Sequence, residues 1–344
     1  MSETTTSVKS WVYTKPSYPD TLHLSTTDVP STPSPGHILV QIHAASLNPV
    51  DIQLMNLPLH SLPYLNGPKV PGRDFAGTVL AAGEGTEFKK GDEIYGIMPL
   101  ALDGTGFLTE VAHIDTRKAC IIKKPKHLSW TQAASLPLVY LTARTIIEKC
   151  KPFMKSPVPS ENKLVVLGGS SSTGIYTIQI AKSLGWSILA SCSGRNVEFV
   201  KGLGASEVVD YTTSPTAVVD AVKKFAPHAI ADCVGGTDCI GLAPQYVTIV
   251  GDKTSRSSMG GSALYLTHPR MVARWLLGYV GLGKSYECIL LDARKEWLEE
   301  TTKLDPEKDV IIDSVFEFEK AKEAFERLNT GRARGKVVVE VRRS

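Results

Sequence analysis

The sequence has no long apolar run. Nowhere does it hold about 18 uninterrupted apolar residues, the least a membrane-spanning helix needs. Its first ten residues, MSETTTSVKS, lack the apolar core of a secretory signal. Together these absences predict a cytoplasmic protein with no membrane partner. Charge of one sign is also missing. Among 344 residues, 38 Lys and Arg face 35 Asp and Glu, a formal charge of +3 with no basic stripe to grip nucleic acid, so no nucleic-acid partner is expected. Close-set cysteines are absent as well: Cys120, Cys150, Cys192, Cys233, Cys239 and Cys288 lie far apart with no C-x-x-C pair, and read as reduced, mostly buried thiols. The eight histidines follow no metal-ligand spacing, and no metal site is expected.

What is present divides the chain in two. The first 125 residues are rich in prolines and turns, with short runs of β-branched and small residues such as HILVQIHAASL (37–47), FAGTVLAAG (75–83) and KKGDEIYGI (89–97). Many short strands between turns predict a barrel-like all-β unit. At Ser129 the pattern changes: Ser129, with Gln132 three residues on, forms a capping box, and a helix is expected through Cys150. Strand-like and helix-like stretches then alternate from KLVVL (163–167) to QYVTI (245–249), which predicts a parallel doubly wound sheet. Two further helices are expected between residues 264 and 304. The tail reads as one helix followed by a strand, VVVEV (337–341), that returns to the N-terminal unit. The expected architecture is therefore α/β, with a discontinuous domain of residues 1–140 and 306–344 and a Rossmann domain of residues 141–305.

The stretch KLVVLGGSSSTGIYTIQIAK (163–182) passes from a strand through small residues into a helix. A strand that ends in G-x-x-G-x-x-G brings backbone N–H groups and a helix N-terminus to one point, which suits a pyrophosphate. Here the register is Gly168, Ser171, Gly174; Gly169, Ser170, Ser172 and Thr173 complete the turn. Serine is small enough to replace the central glycine and adds a hydroxyl. A tight strand-to-helix connection would also favour small residues, so context decides. The turn lies where the first strand of a dinucleotide-binding sheet should be. The next strand ends in SCSGRN, and an NAD-binding chain commonly places an acidic residue there for the ribose. Ser191, Ser193, Arg195 and Asn196 stand in its place. Hydroxyls and a guanidinium hold a phosphate dianion that a carboxylate would repel, so the cofactor expected is NADPH.

Eight landmarks in order, ASLNPVDIQ, VPGRDFAGTV, KKGDEIYG, AASLPLVYLTA, GGSSSTG, GASEVVDY, DCVGG and RGKVVVEV, make the chain resemble the medium-chain dehydrogenase/reductase superfamily. Within it, the resemblance is to the zinc-free quinone oxidoreductase and enoyl reductase branch. It implies a GroES-like β-barrel domain beside a Rossmann domain, with cofactor and substrate between them. By position in the family motifs, Asn48 lies in the cleft beside the nicotinamide, Thr142 near the cofactor at the start of the Rossmann domain and Pro49 against the cofactor, while Asp51 orients Asn48 or relays a proton. Tyr211 is placed beside the 2′-phosphate. Cys233, Val234, Gly235 and Gly251 are placed at the nicotinamide, and Lys336 within reach of the cofactor. Zinc-dependent members carry a catalytic cysteine where this chain has Asn48-Pro49-Val50-Asp51 and a His-Glu pair where it has Arg73 and Asp74. Relatives often carry a tyrosine soon after the NPVD motif; the nearest here is Tyr64. The chemistry implied is hydride donation from NADPH to a quinone, an enone or an enoyl thioester. Many members are dimers, which leaves a homodimer open. A cofactor-binding protein with little turnover, serving as a regulator or scaffold, is the alternative.

Overall fold

The computed structural model describes residues 4–16, 18–57, 67–99, 104–252 and 269–342; Tyr64 and residues 253–268 lie outside them. The described residues fall into two units, one up to Leu138 and again from Ala293, the other between.

The first unit opens with an antiparallel ribbon of β1 (Thr5–Val12) and β2 (His23–Pro30). β3 (His37–Leu47) is followed by the short helix α1 (Pro49–Met55), then β4 (Asp74–Ala82), β5 (Glu93–Ile97), β6 (Val111–Asp115), β7 (Cys120–Lys123) and α2 (Trp130–Ala134). β3 is central, pairing antiparallel with β4 on one side and with β6 along its first half. β4 pairs with β5, and β5 with β7. Ile38, Val40, Ile42, Phe75, Val79, Ile94 and Ile114 point from these strands into one core. Proline at the first position of α1 pre-sets its backbone, with Asn48 as the extended residue before it. The Ser129–Gln132 capping box forms, with Gln132 N–H on the Ser129 hydroxyl at 3.2 Å and Ser129 N–H on Gln132 Oε1 at 2.9 Å. The single helix expected through Cys150 is instead two. α2 stops at Ala134 and a new helix starts at Pro137, because Pro137 cannot donate back into the preceding turn and bars its neighbour from helical geometry.

The second unit contains most of α3 (Pro137–Cys150), then β8 (Lys163–Leu167), α4 (Ser172–Ser183), β9 (Ser187–Cys192), α5 (Val197–Leu203), β10 (Glu207–Asp210), α6 (Ala217–Phe225), β11 (Ala229–Asp232), β12 (Gln245–Thr248), α7 (Pro269–Tyr279) and β13 (Ser285–Cys288). Its six strands form one parallel sheet in the order β10-β9-β8-β11-β12-β13. The central strands are buried along nearly their whole length, as helices on both faces require. Strand order reverses between β8 and β11. In such sheets the crevice at the carboxyl ends of that strand pair is where ligands bind.

The chain then returns to the first unit with α8 (Lys295–Glu300), β14 (Ile312–Glu317), α9 (Ala321–Asn329) and β15 (Lys336–Glu340). β15 pairs antiparallel with β3, and β14 lies parallel to β15 at the sheet edge. α9 buries Ala321, Ala324, Phe325 and Leu328, one face at helical spacing. β14 was not expected: as an edge strand it has no fully buried face, so IDSVFE carries only a weak alternating signal. Among the described residues no helix is long and apolar enough to cross a membrane.

Candidate active site

The glycine-rich turn lies at the carboxyl end of β8. Gly168 has φ +86°, a left-handed conformation that suits glycine. Its N–H donates to the Ser191 hydroxyl at 3.0 Å, while Gly169 N–H donates to the Ser191 carbonyl at 2.8 Å, so the neighbouring strand pins the turn. Ser171 is the N-cap of α4 in extended conformation, and its hydroxyl accepts the Gly174 N–H at 3.1 Å. That is why serine stands in the middle of the motif: it closes the first turn of the helix, which a glycine there could not do. At Gly174 an added methyl would press on the Gly168 carbonyl far inside van der Waals contact. Ser171 through Gly174 thus present the positive end of a twelve-residue helix.

The residues after β9 gather beside this turn. Asn196 Nδ2 donates to both the Ser170 and Ser193 hydroxyls, each at 3.2 Å, and so links the two loops. Arg195 is exposed on the same short helical turn, Gly194–Asn196. Ser191 is buried beneath the first turn, so its part is to hold Gly168 in place. The carboxyl of Asp210, a residue not singled out from the sequence, lies against Gly194 of the Arg195 turn. Hydrogen bonds from the N–H and hydroxyl of Thr212 and from the Gly194 N–H hold its carboxyl below the usual range. Tyr211, next to it, is exposed, with its N–H on the Cys192 carbonyl at 3.1 Å.

At the ends of β11 and β12 stands a second feature the sequence reading missed. Asp232 and Thr248 are register partners, which puts their side chains together. The buried Asp232 carboxylate accepts N–H bonds from Val234 at 3.0 Å and Gly235 at 2.8 Å, and the Thr248 hydroxyl at 2.8 Å. Burial pushes the Asp232 pKa up, and these donors oppose the shift. Thr248 Oγ1 in turn accepts from Val250 at 3.2 Å and Gly251 at 3.0 Å. Val234 packs directly on Gly168, so the DCVGG loop and the glycine-rich turn touch. Cys233 is buried, with its thiol pushed well up by desolvation. Thr142 is a buried residue of α3.

In the first unit the strand registers bring distant residues together. Ser46 pairs with Asp74, and Leu47 with Val337, so Asn48 and Lys336 meet at one end of β3. Lys336 Nζ donates to Asn48 Oδ1 and, at 3.1 Å, to Asp74 Oδ2. Asp74 Oδ2 also accepts Asn48 Nδ2 at 2.9 Å and the Ser46 hydroxyl at 3.0 Å, while Oδ1 accepts the Leu138 N–H at 2.9 Å. Swapping the ends of the Asn48 amide would set N–H against the ammonium and oxygen against the carboxylate, so its orientation is fixed. Asp51 Oδ2 accepts the Asn48 N–H at 2.7 Å, while Oδ1 has no hydrogen-bond partner. Desolvation raises the Asp51 pKa to about 7, against the opposing pull of Arg73. Asn48, Asp51 and Lys336 are all deeply buried, at 1%, 2% and 2% exposure. The resemblance marked Asp74 only as standing where zinc-dependent members carry a ligand; its bond to Asn48 comes from the β3–β4 pairing.

The structure therefore collects the predicted cofactor residues of the second unit, Gly168 to Gly174, Ser191 to Asn196, and Cys233 to Gly235 with Gly251, along the carboxyl edge of one sheet. Asn48, Asp51 and Lys336 form a separate buried cluster around Asp74 in the first unit. Among the described residues no group of three or more His, Cys, Asp and Glu side chains is placed to hold a metal ion.

Two family models match the chain: the alcohol dehydrogenase GroES-like domain over residues 34–126 and the zinc-binding dehydrogenase model over residues 203–339. The mouse (Mus musculus) protein named NAD(P)H oxidoreductase RTN4IP1, mitochondrial, is 32% identical over 334 residues, covering 89% of this chain and 82% of its own. Trans-enoyl reductase pgmF of Aspergillus terreus is 30% identical over 324 residues, covering 89% and 87%. The solved structure of the quinone oxidoreductase from Coxiella burnetii superposes with a TM-score of 0.77 at 25% identity, covering 98% of this chain and 100% of that one. With its GroES-like domain, its parallel Rossmann-type sheet and these relatives, the chain belongs to the medium-chain dehydrogenase/reductase superfamily, in the quinone oxidoreductase and enoyl reductase branch.

Proposed function

We propose that this protein is an NADPH-dependent reductase that works without zinc on a quinone, an enone or an enoyl thioester. The observation that carries the reading is the make-up of the β8 and β9 loops: a serine-capped helix N-terminus beside a turn of hydroxyls, Asn196 and an exposed Arg195. This set fits a pyrophosphate and a 2′-phosphate. Ser171 to Gly174 would take the pyrophosphate, Arg195 with Ser193 and Tyr211 the 2′-phosphate, and the loops after Cys233 and at Gly251 the nicotinamide. Bound there, the dinucleotide supplies a hydride. The relatives' names, which include an NAD(P)H oxidoreductase and a trans-enoyl reductase, support the same reaction class.

Zinc is implied by the name of one matching family model, but the residues present do not fit it. Asn48 Oδ1 and Asp74 Oδ2 are both engaged by the ammonium of Lys336, a cation already in place among the donors, and Asp74 Oδ1 is taken by the Leu138 N–H. Without a Lewis acid, the acceptor must be one polarised by its own conjugation, which favours quinones and enones over simple carbonyls. The chain's part is then to orient the reactants and to manage a proton. Asp51, a buried carboxyl that titrates near neutrality, suits proton holding. Asn48 retains one amide hydrogen beyond its bond to Asp74, a donor suited to an acceptor oxygen.

The deep burial of Asn48 and Asp51 favours a second reading, a cofactor-binding protein with little turnover. One experiment separates the two. NADPH consumption is followed at its near-ultraviolet absorbance band against a panel of quinones, enones and enoyl thioesters, before and after treatment with a chelator. Turnover of at least one class, unchanged by chelation, is the expected result. Tight NADPH binding with no acceptor consumed would favour the second reading, and chelator-sensitive turnover would refute zinc independence.

A further inference from the structure

We infer that Asp232 and Thr248 are positioning residues that hold the two nicotinamide-side loops, Cys233–Gly236 and Ile249–Gly251, against the phosphate turn. The inference rests on the cofactor reading above and adds to it the part of the chain that sets the nicotinamide end. Neither side chain need touch the cofactor.

The argument begins with cost. A carboxylate is expensive to bury, and buried charges of this kind can often be replaced by apolar residues without loss of stability. Asp232 is nonetheless fully buried at the end of a strand whose other residues are apolar. Its hydrogen-bond partners are neutral donors drawn from the elements that need placing. Val234 and Gly235 N–H come from the loop after β11, and the Thr248 hydroxyl comes from the end of β12. The Tyr246 side chain adds a further hydrogen bond from β12.

Thr248 passes the constraint on. Its hydroxyl hydrogen goes to Asp232, which orients its oxygen to accept from Val250 and Gly251. The next residue, Asp252, is clamped by Arg274 and by the Tyr286 hydroxyl at 3.1 Å. The second loop is thus fixed at its start by Thr248 and at its end by Asp252. On the other side, Asp232 holds Val234 where it packs on Gly168, the residue that opens the phosphate turn. One buried pair therefore sets the spacing between the phosphate turn and both loops, all on the edge of the sheet where strand order reverses. A dinucleotide spanning these loops would gain affinity at its nicotinamide end from their being held in advance.

The test compares NADPH with 2′,5′-ADP, which carries the adenosine end and its 2′-phosphate but no nicotinamide. Binding of both is measured by titration calorimetry for the wild type, Thr248→Val, Thr248→Ser and Asp232→Asn. Thr248→Val keeps shape and removes both hydrogen-bonding functions of the hydroxyl. Thr248→Ser restores them. The expected result is a loss of about tenfold or more in NADPH affinity for Thr248→Val and Asp232→Asn, the size seen when the hydrogen-bond partners behind a metal's ligands are removed. Affinity for 2′,5′-ADP should stay within about twofold, and Thr248→Ser should recover most of the NADPH affinity. Should Asp232→Asn fail to fold, the threonine pair alone decides. Equal losses for both ligands would mean a general structural role and overturn the inference, as would no loss for either. A wild type that binds neither ligand would overturn the cofactor reading itself, and the inference with it.

Discussion

Replacing Asp51 by asparagine isolates the electrostatics of the buried cluster. The carboxyl is 2% exposed, accepts one hydrogen bond from the Asn48 N–H, and leaves Oδ1 without a partner. Desolvation moves its pKa from the ordinary 3.8 to about 7. Because the folded chain binds this proton more tightly than the unfolded chain, folding takes up a proton between those values. Stability contributed by the protonated carboxyl is therefore full below pH 3.8 and is lost as pH rises towards 7. Each unit of pH within the window is worth about 1.4 kcal/mol, so the whole window amounts to about 4 kcal/mol and the part above pH 5 to about 3 kcal/mol. Asparagine has the same shape, can accept the Asn48 N–H through its oxygen, and does not titrate. Urea unfolding at a series of pH values, followed by tryptophan fluorescence with the buried Trp11 as reporter in the same unit, measures both proteins. Asp51→Asn should match the wild type near pH 4.5 and exceed it progressively up to pH 7, by about 3 kcal/mol, with a constant gap above. A gap that does not change with pH, or one that widens towards acid, would refute the reasoning.

The loops of the second unit give sharper local tests. Arg195→Ala should weaken NADPH binding by about 1 to 3 kcal/mol, the worth of a charge-assisted hydrogen bond, and leave NADH nearly unchanged; equal losses for both cofactors would remove Arg195 from the 2′-phosphate. Gly174→Ala forces a methyl against the Gly168 carbonyl, so the turn must open. Binding of both cofactors should fall by at least about tenfold, and unaltered binding would show that the turn is not the phosphate site.

Much of the second unit was legible because a parallel sheet writes itself as buried apolar runs separated by amphipathic helices. KLVVL, ILASC and AIAD are buried nearly end to end, and the sequence pattern marked each of them. The glycine-rich turn was legible for a local reason: the cap, the left-handed glycine and the helix start lie within seven residues. Partners that depend on strand pairing were not, even where the residues themselves had been singled out. Asp74 and Lys336 reach Asn48 only through the registers of β4 and β15 against β3, 26 and 288 residues away in sequence. Asp232 was passed over in favour of Cys233, Val234 and Gly235, since nothing local shows that Thr248 stands beside it. The break before Pro137 was legible in principle, but the strong capping box at Ser129 and the continuing apolar spacing favoured one helix. β14 escaped because an edge strand with little buried surface leaves almost no alternation to read.

A fluorescence titration of the purified protein with NADPH and, in parallel, with NADH tests the central claim most directly, since the hydroxyls, Asn196 and Arg195 beside the serine-capped turn are held to select the 2′-phosphate. Binding of NADPH at least about tenfold tighter than NADH is the result predicted. Equal binding, or a preference for NADH, would contradict the selection argued from these loops, and binding of neither would reduce Gly168 to Gly174 to a tight connection between a strand and a helix.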